Sequence, residues 1–338
     1  MKFGLMIRGQ YPREDNMGER FHEILAQARL ASDLGFDCIT KGSHYAAAPL
    51  QDLQQMPFLA RIAAEAPRCR LNAGLVLLPL HKPLDIAEQL GSLDVISGGK
   101  VIFTAGLGYR DVEFRGFGTY RRERVKRFEE NLIAIKRLWA EESVSMEGSH
   151  FELIDARLSC RPLQRPRPPI WIGANADPGI RRAARMADSW LIPAHNRIDT
   201  LLPQIEVYKR ALDEAKQPWP DELPMRRELF VARTREEAFR LCRPSLEMKY
   251  QAYQQWGQDK ELPEGDNSFD KMFEELVEGR FIIGDPNEVT EEIISLCRPT
   301  GVNHLIISIH WPGMENQVAL DAMQLFAEEV MPRVREAT

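Results

Sequence analysis

No stretch of this 338-residue chain approaches the roughly 18 to 20 consecutive apolar residues that a transmembrane helix needs. The first apolar run, Phe3 to Ile7, is short and ends at Arg8, so no signal peptide is expected and the chain reads as cytoplasmic. Cysteine is sparse. Cys38, Cys69, Cys160, Cys242 and Cys297 are an odd number with no C-x-x-C pair, which fits reduced thiols better than a disulfide framework. There is no H-E-x-x-H, no spaced Cys/His set, no G-x-S-x-G elbow and no Walker lysine motif, so no metal site and no hydrolase nucleophile is expected. Gly106-Leu107-Gly108 begins like a dinucleotide fingerprint, but position 111 is Asp rather than Gly. The net charge of -6, without a long basic stripe, argues against a nucleic-acid partner. The densest basic run, Arg121 to Arg127, reads as a solvated helix face or, alternatively, a phosphate contact.

What is present is alternation. Short, nearly continuous apolar runs recur at Phe3–Ile7, Cys38–Thr40, Leu75–Leu78, Val101–Ala105, Ile170–Ile172, Trp190–Ile192, Leu229–Ala232 and Leu305–Ile309. Continuous rather than alternating runs suit parallel strands buried on both faces. Between them lie helical patterns, such as Phe21, Ile24, Leu25, Ala28 and Ala31, or Val125, Phe128, Leu132, Ile135 and Trp139. Asp85 and the pair Asp285-Pro286 offer helix starts. Eight strand–helix units predict an α/β chain folded as a single (β/α)8 TIM barrel over residues 1–338, with a doubly wound open sheet as the rival. Two segments interrupt the alternation: 141–168, with a possible hairpin around Glu147-Gly148-Ser149, and 244–280, a partly helical excursion expected to shape the pocket.

In a barrel, residues just past the strands line the active-site mouth. Those positions hold Arg8 and Tyr11; Lys41, Ser43, His44 and Tyr45; Gly106 to Arg110; Gly173 to Gly179; His195-Asn196; and His310-Trp311. The small-residue turn Gly173 to Gly179 before a helix offers backbone N–H groups and the positive end of a helix dipole to an anion, unless Asn175 or Asp177 simply caps the helix. His44 could serve as a base or be an inert loop residue; Arg110 could hold a phosphate or pair with Asp111 or Glu113. Trp311 could cover a substrate or fill space.

Taken in order, these pieces resemble the bacterial luciferase-like monooxygenases. The resemblance rests on Met1-Lys2-Phe3-Gly4, Leu34-Gly35-Phe36-Asp37, Leu78-Pro79, Ser97-Gly98-Gly99-Lys100, Glu113 to Gly118, Pro169 to Ala174, Ala183 to Trp190, and Gly284-Asp285-Pro286. It implies a barrel carrying reduced FMN or, in a sister branch, the deazaflavin F420. It also implies His44 as the catalytic histidine, and a non-prolyl cis peptide between Gly74 and Leu75 beneath the flavin ring. Cofactor contacts are expected from Gly106, Gly108, Tyr109, Asn175, Ala176 and Gly179. Leu107 stands where luciferase has a phosphate-binding arginine, which leaves Arg110 as the substitute. The expected activity is oxygenation of a small organic substrate by FMNH2 and O2, with a separate flavin reductase and a homodimeric assembly. Tyr11, Tyr45, His195, His310 and Trp311 are the expected substrate wall. An F420-dependent hydride transfer and a non-catalytic flavin-binding barrel subunit are the alternatives.

Overall fold

The computed structural model describes residues 1–338. Nine strands form one parallel sheet: β1 (Lys2–Met6), β2 (Cys38–Lys41), β3 (Arg70–Leu77), β4 (Val101–Gly106), β5 (Ile170–Gly173), β6 (Ser189–Leu191), β7 (Pro224–Val231), β8 (Ile282–Gly284) and β9 (His304–Ser308). Their spatial order is β6-β5-β4-β3-β2-β1-β9-β7-β8. The sheet curls. Ile192, one residue beyond β6, donates its N–H to Pro224 O at 2.9 Å and accepts from Arg226 N at 2.9 Å, bringing the β6 edge onto β7.

The strands read as apolar runs because both faces are covered. Helices enclose the outer face, while Met6, Cys38, Ile102, Trp171, Leu191 and Ile306 pack into an apolar plug within the curl. Helix starts are capped as their residues permit. Asp285 and Glu288 form a capping box ahead of Pro286. Asp85 lies in the first turn of a helix that opens at Pro83, so it does not cap.

Strand boundaries differ where charge hides them. β3 begins at Arg70 and β7 at Pro224, earlier than their apolar runs suggest, because Asn72 and then the half-buried Arg226 and buried Arg227 and Glu228 occupy strand positions. The three-residue β8 and the antiparallel pair Gln10–Pro12 with Leu50–Asp52 were too short to stand out. The hairpin after residue 141 is present, as Val144–Glu147 paired with Glu152–Ala156. Residue 244 falls inside a continuous helix, Arg235–Gln255, which carries Lys249, Tyr250 and Tyr253 to the site.

Candidate functional site

Residues following β1, β2, β4, β5 and β6, together with the helix Arg235–Gln255, enclose a cavity of about 380 Å³ at the carboxyl end of the sheet. That volume suits a cofactor or small organic ligand. His44, Leu75, Gly108, Tyr109, Asn175, Ala176, Gly179 and His195 all line it. Gly74 and Gly106 stand directly behind the wall. The Gly74–Leu75 peptide is cis, at the position implied by the family resemblance.

Leu75 shapes one wall because two glycines admit it. A Cβ on Gly173 would meet Leu75 Cδ2 at 2.5 Å, and one on Gly106 would meet Leu75 Cδ1 at 2.9 Å. The side chain therefore lies flat across the ends of β4 and β5, presenting an apolar surface to the cavity.

Beyond Gly173, which Leu75 packs against, the turn from Ala174 leads into the helix Asp177–Met186. Its N-cap is Ala176, with no side-chain cap hydrogen bond, so neither Asn175 nor Asp177 satisfies the first turn. Gln204 Nε2 donates to Asn175 O at 2.8 Å and fixes the turn from behind. The turn is tight, since a Cβ on Gly179 would lie 2.7 Å from Ala174 Cβ. Arg182 and Arg124 flank the same end of the cavity. Arg182 Nε donates to Glu129 at 2.7 Å, and Arg124 donates to Gly108 O at 2.9 Å and to Glu261 at 3.1 Å.

His44 sits on the loop after β2. Its Nδ1 lies 3.3 Å from Glu113 Oε1, and its ring packs 5.1 Å from Trp256. A carboxylate only accepts, so Glu113 selects the tautomer with hydrogen on Nδ1 and leaves Nε2 as the lone-pair nitrogen. Glu113 is 1% exposed and is itself held by Tyr45 N at 3.0 Å and Arg110 at 3.3 Å. Tyr109 points a buried hydroxyl with no protein partner toward the same region.

Several expected residues lie elsewhere. Arg110 does not reach the cavity: its guanidinium donates to Tyr45 O and Ala46 O at 2.8 and 2.9 Å, pairs with Glu113 and stacks over Trp256. Of its two alternative roles, the pairing with Glu113 is the one observed. Among the expected substrate wall, only His195 lines the cavity. Tyr11 is buried under Arg20, Tyr45 packs on His81 and Phe117, and His310 Nε2 lies 3.2 Å from Met314 O. Trp311 is fully buried and donates to Glu228 at 2.5 Å. These four side chains satisfy internal contacts instead of facing the cavity.

Beside Arg8 and Lys41, which follow β1 and β2 as expected, the wall carries Asp52 and Tyr253, which strand-end spacing does not single out. Lys41 and Asp52 form a buried pair at 2.5 Å, and burial, opposed by Lys41, pushes the Asp52 carboxyl up from its ordinary range. Arg8 donates to Glu228 at 2.7 Å, to Ser308 at 3.1 Å and to Tyr253 at 3.0 Å, while Lys249 also donates to Glu228. Burial alone would raise Glu228, but these two cations hold it well below the usual carboxylate range. Burial likewise keeps His195 well below its ordinary value, so it is a neutral imidazole at neutral pH, 3.1 Å from Tyr250 Oη.

A curled parallel sheet with its polar residues gathered at the carboxyl end, around one cavity, defines an α/β ligand-binding site of the barrel type. Residues 1–304 match the sequence profile of the luciferase-like monooxygenases, and the chain belongs to that family. It is 26% identical over 328 residues to an FMNH(2)-dependent dimethylsulfone monooxygenase of Pseudomonas putida, covering 91% of this chain and 86% of the relative. It is 25% identical to an F420-dependent glucose-6-phosphate dehydrogenase of Amycolatopsis mediterranei, covering 93% and 94%. The monooxygenase RslO1 from Streptomyces bottropensis superposes with a TM-score of 0.86 at 27% identity, covering 98% of this chain and 99% of that one. Its relatives thus include both FMNH2-dependent oxygenases and F420-dependent dehydrogenases. No helix is long and apolar enough to cross a membrane.

Proposed function

We propose that the chain is a flavin-dependent monooxygenase, using reduced FMN and O2 to oxygenate a small organic substrate. The curled sheet is read as a single (β/α)8 barrel over residues 1–338, and the assembly as a cytoplasmic homodimer supplied by a separate flavin reductase. The observation that carries the reading is His44, fixed by Glu113 through Nδ1 beside the cavity and left with a free Nε2. The likeness to RslO1 over nearly the whole of both chains supports oxygenation ahead of hydride transfer.

The residues present fit a flavin. The flat Leu75 surface suits one face of a planar ring, and the uncapped turn from Ala174 to Gly179 suits a phosphate. Arg182 and Arg124 replace Arg110 as the side chains that would neutralise it, and Tyr109 offers an unpartnered hydroxyl. Bound there, reduced FMN supplies the electrons that activate O2. The protein's part is to position, to exclude water and to move a proton. His44 Nε2 accepts or returns the proton, Glu113 holds the ring, and Leu75, Leu107 and Val125 keep the cavity dry.

The test is substrate-dependent O2 consumption with FMNH2 in wild type and His44→Ala. Loss of turnover in the variant, with FMN affinity retained, supports the assignment. Selective binding of F420 over FMN by the wild type would replace it with the hydride-transfer reading. Flavin binding with no turnover of any kind would favour the non-catalytic subunit.

A further inference from the structure

Five basic side chains line the cavity: Arg8, Lys41, Arg124, Arg182 and Arg226. Four have a carboxylate partner within 4 Å, namely Glu228, Asp52, Glu261 and Glu129 in that order. Arg226 has none. Its Nε is buried without a hydrogen-bond partner, and no protein group accepts from the rest of its guanidinium.

Arg226 also stands apart in depth. On β7 it is in register with Ile306 of β9, a member of the apolar plug, whereas Glu228 is in register with Ser308. Two residues of strand separate those levels, or about 7 Å. The guanidinium therefore rises from the floor of the cavity, next to Met6, Ile172 and Leu191, well inside the mouth where the uncapped turn and the flanking Arg124 and Arg182 sit. A charge enclosed in a cavity without a counter-ion is costly, and it persists where a ligand of opposite charge completes it.

We infer that the floor of this cavity recognises an acidic group on the substrate, with Arg226 taking a carboxylate through its planar fork. The inference rests on the reading of this cavity as the substrate site. Paired N–H donors match the two carboxylate oxygens, and the apolar residues around them strengthen the contact. Burial and the neighbouring Arg8 lower Arg226 only to about 10, so it stays cationic at neutral pH. His195 remains neutral beside it and can share a hydrogen bond without adding charge. A substrate so held lies with its acid end down and its reactive part up, toward Leu75 and His44. Arg226 is thus a specificity determinant for organic acids over their neutral analogues.

The experiment needs neither flavin nor O2, so its failure is separable from failure of the oxygenase reading. Benzoate, octanoate, benzamide and octanamide are titrated calorimetrically into flavin-free wild type, Arg226→Met and Arg226→Lys, each first shown by circular dichroism to be folded. FMN affinity is measured in parallel by quenching of flavin fluorescence. At least one acid should bind wild type tenfold or more tightly than its amide. Arg226→Met should abolish that preference, Arg226→Lys should keep part of it, and FMN affinity should stay within about threefold throughout. Equal binding of acid and amide, absence of acid binding up to millimolar concentration, or an acid preference that survives in Arg226→Met would overturn the inference. So would a tenfold loss of FMN affinity in Arg226→Met, which would make the guanidinium a cofactor contact.

Discussion

The protein holds two histidine–glutamate–arginine groups of the same composition at opposite ends of its sheet. At the carboxyl end, His44 Nδ1 meets Glu113 at 3.3 Å and Arg110 joins Glu113 at 3.3 Å. At the amino end, His304 Nδ1 meets Glu222 at 2.8 Å and Arg70 donates twice to Glu222 at 2.9 Å. What differs is the second imidazole nitrogen. His304 Nε2 lies 3.3 Å from the Cys38 thiol, under the edge of Trp171, in a fully buried site. Burial pushes that thiol up to about 12, so it is inert as a nucleophile. His44 Nε2 has no protein partner and its residue lines the cavity. One group closes the bottom of the fold; the other leaves a nitrogen free for chemistry.

Replacing each histidine should separate these roles most sharply. His44→Ala should lower substrate-dependent O2 consumption by about 10²- to 10⁴-fold, the range for a lost acid–base group, and shift Tm by no more than about 2 °C. His304→Ala should leave turnover per folded molecule near wild type. It strips Glu222 of a buried partner and should cost about 2–4 kcal/mol in urea unfolding. Equal turnover loss in the two variants, after correction for folded fraction, would erase the distinction. Glu113→Gln is the next step down. Orientation of His44 weakens while bulk is kept, and kcat should fall about 10- to 100-fold with KM little changed, as is usual when a supporting hydrogen bond is lost.

Chain position relative to the strands explains what could be read without coordinates. His304, Cys38 and Arg70 are the first residues of β9, β2 and β3, whereas His44, Arg110 and Glu113 follow the ends of β2 and β4. Apolar runs made the parallel α/β sheet legible, and with it the side that bears the cavity. His44 and the turn around Ala176 stood among the strand-end positions, whereas the Gly74–Leu75 step came from the family resemblance. Orientation past a strand end was not, because it depends on tertiary partners. Arg110 follows β4 as expected but is drawn to the carbonyls of Tyr45 and Ala46. Arg226 was hidden for the opposite reason. Its Arg-Arg-Glu run looks like surface, and only the curl of the sheet shows that alternate residues of β7 point inward. Charged residues inside an otherwise strand-length segment were the available signal.

Two glycines offer a smaller contrast along the same axis. A Cβ on Gly173 would strike Leu75 Cδ2 at 2.5 Å, and a Cβ on Gly4 would strike Cys38 Sγ at 2.5 Å. Overpacking costs about 1–3 kcal/mol in either case, but it should emerge in different measurements. Gly173→Ala drives Leu75 into the cavity and should weaken FMN binding by about tenfold, read by flavin fluorescence, with a minor change in urea midpoint. Gly4→Ala crowds the closed group and should lower the urea midpoint while FMN affinity holds. The same loss of FMN affinity in both would mean that the plug and the cavity wall move together.

Acidification should produce the smallest effect, at the closed end. Burial lowers His304 from its ordinary value, against the opposing pull of Glu222. Burial would raise Glu222, but His304 and Arg70 outweigh it and hold the carboxyl well below the usual range. Both groups thus bind protons less readily folded than unfolded. Stability they contribute is fully present above the unfolded values, near 6.5 for His and 4.3 for Glu, and declines as pH falls through that window. His81, His195 and His310 are lowered too, so the wild type should lose stability on going from pH 7.5 to pH 5 for several reasons at once. The contribution of His304 is isolated by difference. His304→Gln removes its titration, so the variant starts less stable at pH 7.5, and its deficit should shrink by about 1 kcal/mol at pH 5, the scale of one shifted pKa unit. Urea unfolding of wild type and His304→Gln at both pH values decides it: a constant gap for His304→Gln would mean that the closed group takes up its protons as readily folded as unfolded.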